Sequence, residues 1–496
     1  MPKTSQDPRT TPDSALPGAP QPPISAPPPT SAVHGAALGL PDGVIEDHPR
    51  VAVVGAGPAG LYLTEILLGQ VPGAQVDVFE ALPSPFGLIR YGVAPDHPRI
   101  RSIVDSLHQI LSRPEVHFWG NIKLGRDLTA AELRHYYDVI VLATGALRDA
   151  PLDLPGSDLP GCFGGADFVA WYDSHPWYPP TWSLDARQVA IIGNGNVALD
   201  IARVLARRPQ ELARTDMPKH VLVAFEASAL TDIHIFGRRG PAAVKFSPLE
   251  LRELGEVVGL KMLLDEADFE LDDAAQAAIK ANGRLRQAVK TLQTWRAGHD
   301  GLGERRLHLH FYWRPERVEG TVAVTGLTLR RTEPDGSGGV VDTPTSWTIP
   351  VQAVYRATGY FGSPVEGVPF DPARGTIPNA GGRVLDDAAD PIPGLYATGW
   401  IKRGPVGLIG STKSDALETV SHIVADLATA SPAPERSTSQ LLAELERRGS
   451  KPVPWRGWLA IDAQERARGA AEGRERAKFA TAEEMVNAAR EPLDPD

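Results

Sequence analysis

A single cysteine, Cys162, stands in the 496-residue chain. That scarcity excludes an intrachain disulfide, a CxxC redox pair and an iron–sulfur cluster ligated by this chain's own cysteines. It suits a reducing compartment, so a cytoplasmic location is expected. Long apolar runs are also missing. Runs such as residues 51–54 and 139–143 are strand-sized and end at a glycine or a polar residue, far short of the roughly 20 residues that span a bilayer. No membrane segment is expected. Nor is there an excess of positive charge: the formal net charge is −11, which argues against general nucleic-acid binding while leaving room for a local basic face toward an acidic protein. No set of metal ligands is read in the sequence. What remains, 42% hydrophobic and 22% charged residues, fits a globular chain of two or three domains.

Residues 1–48 are rich in Pro, Ser and Ala. They read as a disordered extension, because such a segment buries too little surface to offset its ordering entropy. Beyond it, one theme occurs twice. A strand at 51–54 runs into a Gly-rich turn and an apolar helix at 59–68, followed by a strand at 76–80. After a Pro/Trp-rich crossover at 171–182, a strand at 188–192, a Gly-rich turn at 193–198 and a helix at 199–206 repeat the pattern, and a strand follows at 232–236. The stretches 137–145, 351–359 and 394–399 each end in Thr-Gly. This alternation predicts an α/β protein with two doubly wound, Rossmann-like nucleotide-binding units. The charged, Ala-rich C-terminal part predicts helices near 437–448 and 464–476, with 455–462 and 473–478 ordered enough to pack.

The two turns carry opposite chemistry. GAGPAG places Gly55, Gly57 and Gly60, with Ala59 opening the helix, in a GxGxxG fingerprint. Its first glycine permits the turn, the second lets backbone N–H groups approach a pyrophosphate, and the third allows close helix–strand packing. Glu80 ends the next strand, where a carboxylate accepts from ribose hydroxyls and repels a 2′-phosphate, so this site wants FAD or NAD. GNGNVA places Gly193, Asn194, Gly195, Asn196, Val197 and Ala198 in a GxGxxA variant, and the strand after it ends in Arg238-Arg239. Two guanidiniums suit a 2′-phosphate by charge and bidentate geometry, which selects NADP(H). Two different dinucleotides in one chain imply hydride transfer between nicotinamide and flavin.

PFGLIRYGVAPDHP at 85–98, GNGNVALD at 193–200, GRRGP at 237–241 and GWIKRGPVGLI at 399–409 together make the chain resemble the adrenodoxin-reductase-like ferredoxin–NADP+ reductases over roughly residues 50–430. The resemblance implies a discontinuous FAD domain (49–147 and 356–430) with an inserted NADP(H) domain (148–355), preceded by the extension 1–48 and followed by a helical one at 431–496. It implies that Glu80 binds the adenosine ribose of FAD, that Leu88 and Leu124 line the flavin site, and that Trp400, Gly407, Leu408 and Ile409 contact the flavin ring, with Gly407 also near the nicotinamide. Residues 194–197 would hold the NADP pyrophosphate, and Arg238, Arg239 and Glu250 its adenosine end. His97 would lie at the flavin–nicotinamide junction as a modulator, hydrogen-bonded to Asp200 with Glu253 close by. A carboxylate there favours imidazolium. Arg148 stands at a different offset from the arginine that the family often carries after Gly145.

The implied reaction is hydride transfer from NADPH to FAD followed by single-electron transfer to a ferredoxin- or adrenodoxin-like iron–sulfur protein, by a monomer or weak dimer. Lys402, Arg403, Arg203, Arg207 and Arg208 are candidate docking charges. A subunit of a glutamate-synthase-like complex is the alternative enzyme, although the N-terminal cysteines it needs are missing. A non-catalytic NADPH-sensing flavoprotein is the alternative from another class, and a monooxygenase is disfavoured by the 399–409 motif.

Overall fold

A computed structural model describes residues 48–297, 305–407, 409–428 and 437–491. Residues 1–47 of the extension expected to be disordered, and Leu408, lie outside the described residues. Two large sheets organise the rest. The first has the order 379–380, 383–385, 391–397, 139–142, 50–54, 75–79, 116–120, 453–454. Its middle strands run parallel, with Val51 facing Val76 on one side and Val139 on the other. Every residue of Arg50–Val54 is buried, as expected of a strand covered on both faces.

The second sheet is wholly parallel. Its order is 162–164, 353–356, 188–192, 232–237, 305–311, 260–264. The repeated strand–turn–helix theme is present in each sheet, as Arg50–Val54 with helix Pro58–Gln70 and as Gln188–Ile192 with helix Asn196–Ala206. A three-stranded antiparallel sheet, Trp313–Gly320, Val324–Pro334 and Val340–Ile349, covers one face of the second sheet through Leu327, Leu329 and Ile349 packed on Ala190, Ile192 and Phe236. Nothing in the motif pattern anticipates this sheet.

The chain crosses between the large sheets just after Ala143 and again after Ala357. The two crossings pair with each other, Arg148–Asp149 lying antiparallel to Tyr360–Phe361. The C-terminal residues build into the first core: Val453, Trp458, Ile461, Met485 and Val486 pack among Phe86, Leu107 and Phe118. The helix expected at 464–476 instead runs Trp455–Ala471. It stops before Gly473, whose φ of +70° suits glycine alone, and Arg474 N turns back to Gly469 O at 3.0 Å. The tail is pinned by buried charge. Glu465 accepts from Arg90 at 2.6 and 2.7 Å and from Arg476 at 2.9 Å, while Lys478 meets Asp216 at 3.0 Å and donates to the carbonyls of Arg90 and Asp173.

Candidate active site

The first turn is assembled from three distant segments. Gly55, at φ +116°, sits so close to the chain after strand 139–142 that a Cβ would lie 2.4 Å from Ala143 O, and a Cβ on Gly60 would lie 2.1 Å from Gly55 O. These two glycines are therefore demanded by packing. Gly57 differs: nothing stands within 4 Å of where its Cβ would be, which leaves the start of helix Pro58–Gln70 open to an anion. Glu80 is fixed beneath the turn, accepting from Ala56 N at 2.9 Å and Leu82 N at 3.2 Å. Burial raises its pKa despite these bonds.

Segments carrying several of the other candidates for this site approach the same turn. Phe86 N donates to Ala56 O at 2.9 Å and a Cβ on Gly87 would stand 3.2 Å from Gly57 Cα, so half-buried Leu88, the next residue, begins its short helix beside the turn. Half-buried Leu124 follows the segment in which Ile122 N bonds Glu80 O. From the far end of the sequence, Gly399 (φ +76°) comes so near that a Cβ would lie 2.5 Å from that of Ala59. Asp415 holds it there, accepting from Gly399 N at 2.6 Å. Trp400 is half-buried and stacks on Tyr360 of the crossing pair, ring centroids 6.0 Å apart. Gly407 is exposed with φ +89°, and Ile409 begins the helix Ile409–Leu427.

The second turn repeats this construction. Gly193 (φ +139°) abuts Ala357 O, at 2.2 Å from a virtual Cβ, whereas Gly195 has nothing within 4 Å. Asn194 O accepts from Lys245 N, and Asn196 Oδ1 from Ser247 N at 2.8 Å, tying the turn to the segment before helix Pro248–Gly255. Val197 packs against the second core. Asn194 Oδ1 is buried with no hydrogen-bond partner. Arg238 and Arg239 follow strand Asp232–Gly237, their backbone carbonyls anchored by Thr332 and Tyr312. Neither guanidinium has an ion pair or hydrogen bond among the described residues, and Arg238 is exposed.

His97 lies buried against two helices, Asn196–Ala206 and Pro248–Gly255. Asp200 Oδ1 of helix Asn196–Ala206 is 3.1 Å from Nε2, Glu250 Oε2 is 3.1 Å from the same nitrogen, and Glu253 Oε2 is 3.0 Å from Nδ1. Burial works against a charged ring, but the hydrogen bonds to Asp200 and Glu250 outweigh it and lift the pKa to about 9. Arg203 Nη2 stands 2.5 Å from Nε2 and its charge pulls the other way. That arginine is itself neutralised by Asp96, at 2.7 and 3.0 Å, and Asp200, at 2.7 Å. The arrangement can hold a proton on a buried ring beside the helix of the second turn.

Other charged side chains are engaged within the fold. Glu250, expected at the adenosine end, lies 3.1 Å from His97 and 3.6 Å from Arg203. Arg203 is fully buried and Lys402 is buried with Asp415 and Glu418, so neither is a docking charge; their helices turn them inward. Arg207 is bound to Asp96 and Glu211, and Arg403 to Asp415 at 3.5 Å. Arg148 donates to Gly362 O at 3.2 Å across the crossing pair. Asp96, Asp415 and Tyr360 were not singled out by sequence. Only Asp96 carried a signal, through its adjacency to His97.

The pyridine nucleotide-disulphide oxidoreductase family matches residues 49–231. The chain is 39% identical over 453 residues to the NADPH-ferredoxin reductase FprA of Mycobacterium tuberculosis, covering 88% of this chain and 98% of that one. It is 37% identical over 460 residues to the mitochondrial NADPH:adrenodoxin oxidoreductase of Bos taurus, with 89% and 92% covered. Among solved structures, that of Mycobacterium tuberculosis FprA in complex with NADPH superposes with a TM-score of 0.82 at 37% identity, covering 89% of this chain and 99% of that one.

Proposed function

Since the chain belongs to the family of the NADPH-ferredoxin and NADPH:adrenodoxin reductases, we propose that it takes electrons from NADPH through FAD and delivers them to a ferredoxin- or adrenodoxin-like iron–sulfur protein. The observation that carries the reading is the contrast between the two turns: a buried carboxylate, Glu80, under the first and two unpaired guanidiniums, Arg238 and Arg239, beside the second. The residues present fit both dinucleotides. Backbone at Gly57 and Gly195 is open where a side chain would otherwise stand, and Asn194 offers a buried acceptor without a donor.

We assign FAD to Gly55, Gly57, Ala59, Gly60, Glu80, Leu88 and Leu124 with Trp400 and 407–409, and NADP(H) to 193–197 with Arg238, Arg239, Glu250 and Gly407. When bound, the flavin accepts a hydride from the nicotinamide and releases its electrons one at a time. The protein's part is positioning. Gly399, locked by Asp415, sets Trp400 against the first turn, and Tyr360 braces the indole. His97 keeps a proton on its ring under three carboxylates and so supplies positive charge beside the second turn. We further assign 49–147 and 356–430 to the FAD part, 148–355 to the NADP(H) part and 431–496 to a helical extension; in support, strands 50–54, 75–79, 116–120, 139–142 and 391–397 share one sheet, and strands 162–164, 188–192, 232–237, 260–264 and 305–311 another. Among the described residues no helix is long and apolar enough to cross a membrane. A cytoplasmic location is in keeping with the single cysteine, and a monomer or weak dimer is part of the same proposal.

Purified protein should be yellow, bleach rapidly with NADPH and far less readily with NADH, and pass electrons to an added ferredoxin. A colourless protein or a preference for NADH overturns the reading. Slow bleaching without onward transfer indicates an NADPH sensor instead.

A further inference from the structure

Away from both nucleotide turns, three histidines meet on one face of the second sheet. Strands Asp232–Gly237 and Arg305–Phe311 run parallel in the register Asp232–Arg306, His234–His308, Phe236–His310. Side chains alternate along a strand, so these six share one face, while Ile233, Ile235, Leu307 and Leu309 enter the core on the other. One ring nitrogen from each of His234, His308 and His310 lies within 4.8 Å of the other two. The rings are nearly parallel, with centroids 4.1 Å apart for His234 and His308 and 5.4 Å for His234 and His310. Trp347 of the three-stranded sheet stands edge-on to His310 at 5.2 Å and shields the group.

The hydrogen bonding does not satisfy these rings. His234 Nδ1 and His310 Nε2 share one bond of 3.1 Å, and His234 Nε2 is buried with no partner. His308 Nε2 lies 2.8 Å from Asp232 Oδ1, and Arg306 clamps the same carboxylate at 2.6 and 2.5 Å. An ionised carboxylate can only accept, so His308 donates through Nε2 and its Nδ1 keeps a lone pair.

We propose that His234, His308 and His310 form a binding site for a zinc-type divalent transition metal ion, with Asp232 orienting His308 from behind. Three imidazoles without thiolate or a cage of oxygens favour Zn2+, Ni2+ or Cu2+ over Mg2+ or Ca2+. A carboxylate that fixes the tautomer of a ligating histidine is a recurrent support of such sites. Bonds of about 2.0–2.1 Å to zinc bring ligand nitrogens to about 3.3 Å of one another, so the rings close by rotation at the expense of the single His234–His310 hydrogen bond. The site shares no residue with the electron path, and it joins the strand leading to Arg238 to its neighbour. It was invisible as a ligand set in the sequence because His234 and the pair His308 and His310 meet only through strand pairing.

The FAD-loaded protein, treated with chelator and dialysed, is titrated with Zn2+ by calorimetry and with Co2+ by visible absorption beyond the flavin bands. One ion per chain with at least micromolar affinity is expected. Asp232→Asn should weaken binding about 10- to 100-fold, and His308→Gln and His310→Gln should weaken it more, while flavin content and bleaching by NADPH remain those of the unaltered protein. Zn2+ should also raise the melting temperature of the unaltered protein, and chelator should reverse the rise, a readout that needs no variant. Absence of stoichiometric binding, or binding undiminished in both His308→Gln and His310→Gln, overturns the proposal.

Discussion

His97 is a ring whose proton is worth more folded than unfolded. Its pKa of about 9 stands above the ordinary 6.5, so its contribution to stability is complete below pH 6.5 and is lost as pH rises through 9. Urea midpoints of the unaltered protein should fall across that window, and His97→Gln should flatten the fall; an unchanged slope would remove the proton from His97. At the other site, Arg238→Ala combined with Arg239→Ala deletes two unpaired charges. The KM for NADPH should rise about 10- to 100-fold, the equivalent of one or two charge-assisted hydrogen bonds, with the KM for NADH little changed; equal effects would contradict the phosphate assignment. Glu80 and the arginine pair were legible because a strand end fixes where the next residue points. Arg203 and Lys402 were misread because their partners depend on how helices pack, and a charge turned inward looks like any other in a sequence.

Between residues and molecule stand the turns, the best-read elements of the chain. A short valine-rich run, a glycine cluster and an apolar helix are local signals, and both copies fold where the spacing places them. The third component of each site is not local. Gly399 reaches Ala59 from more than three hundred positions away, and only the resemblance hinted at it. Gly399→Ala adds a methyl at φ +76° into that contact, where neither backbone nor helix can yield cheaply. The variant should purify with most of its flavin lost, read as flavin absorbance per chain, while Gly57→Ala, whose Cβ meets open space in the protein itself, should fold normally and lose flavin only through steric exclusion of the ligand. The three-stranded sheet escaped sequence reading because its strands carry polar outer faces and no motif. The last long helix was misplaced because its stop is set by Gly473, not by the charge pattern.

At the scale of the whole molecule, the C-terminal segment belongs to the core rather than to an appendage. Glu465 is wholly buried between Arg90 and Arg476, and Glu465→Gln leaves buried guanidiniums short of charge. Breaking such a pair costs about 3–5 kcal/mol, so the urea unfolding free energy should drop by that order; a change below about 1 kcal/mol would mean that the tail is dispensable. The division into sheets was legible from the repeated theme, but its discontinuity only through the resemblance, since nothing local shows that a strand near 395 will lie beside one near 140. The crossing pair Arg148–Asp149 and Tyr360–Phe361 has a consequence for how such a protein is put together. Entrance and exit of the intervening residues 150–359 are adjacent, the arrangement in which a whole domain can be spliced into or out of a host without disturbing it. The nucleotide module is thus a cassette: exchanging it at these two seams for one from a relative should change coenzyme preference while leaving the flavin half of the molecule intact.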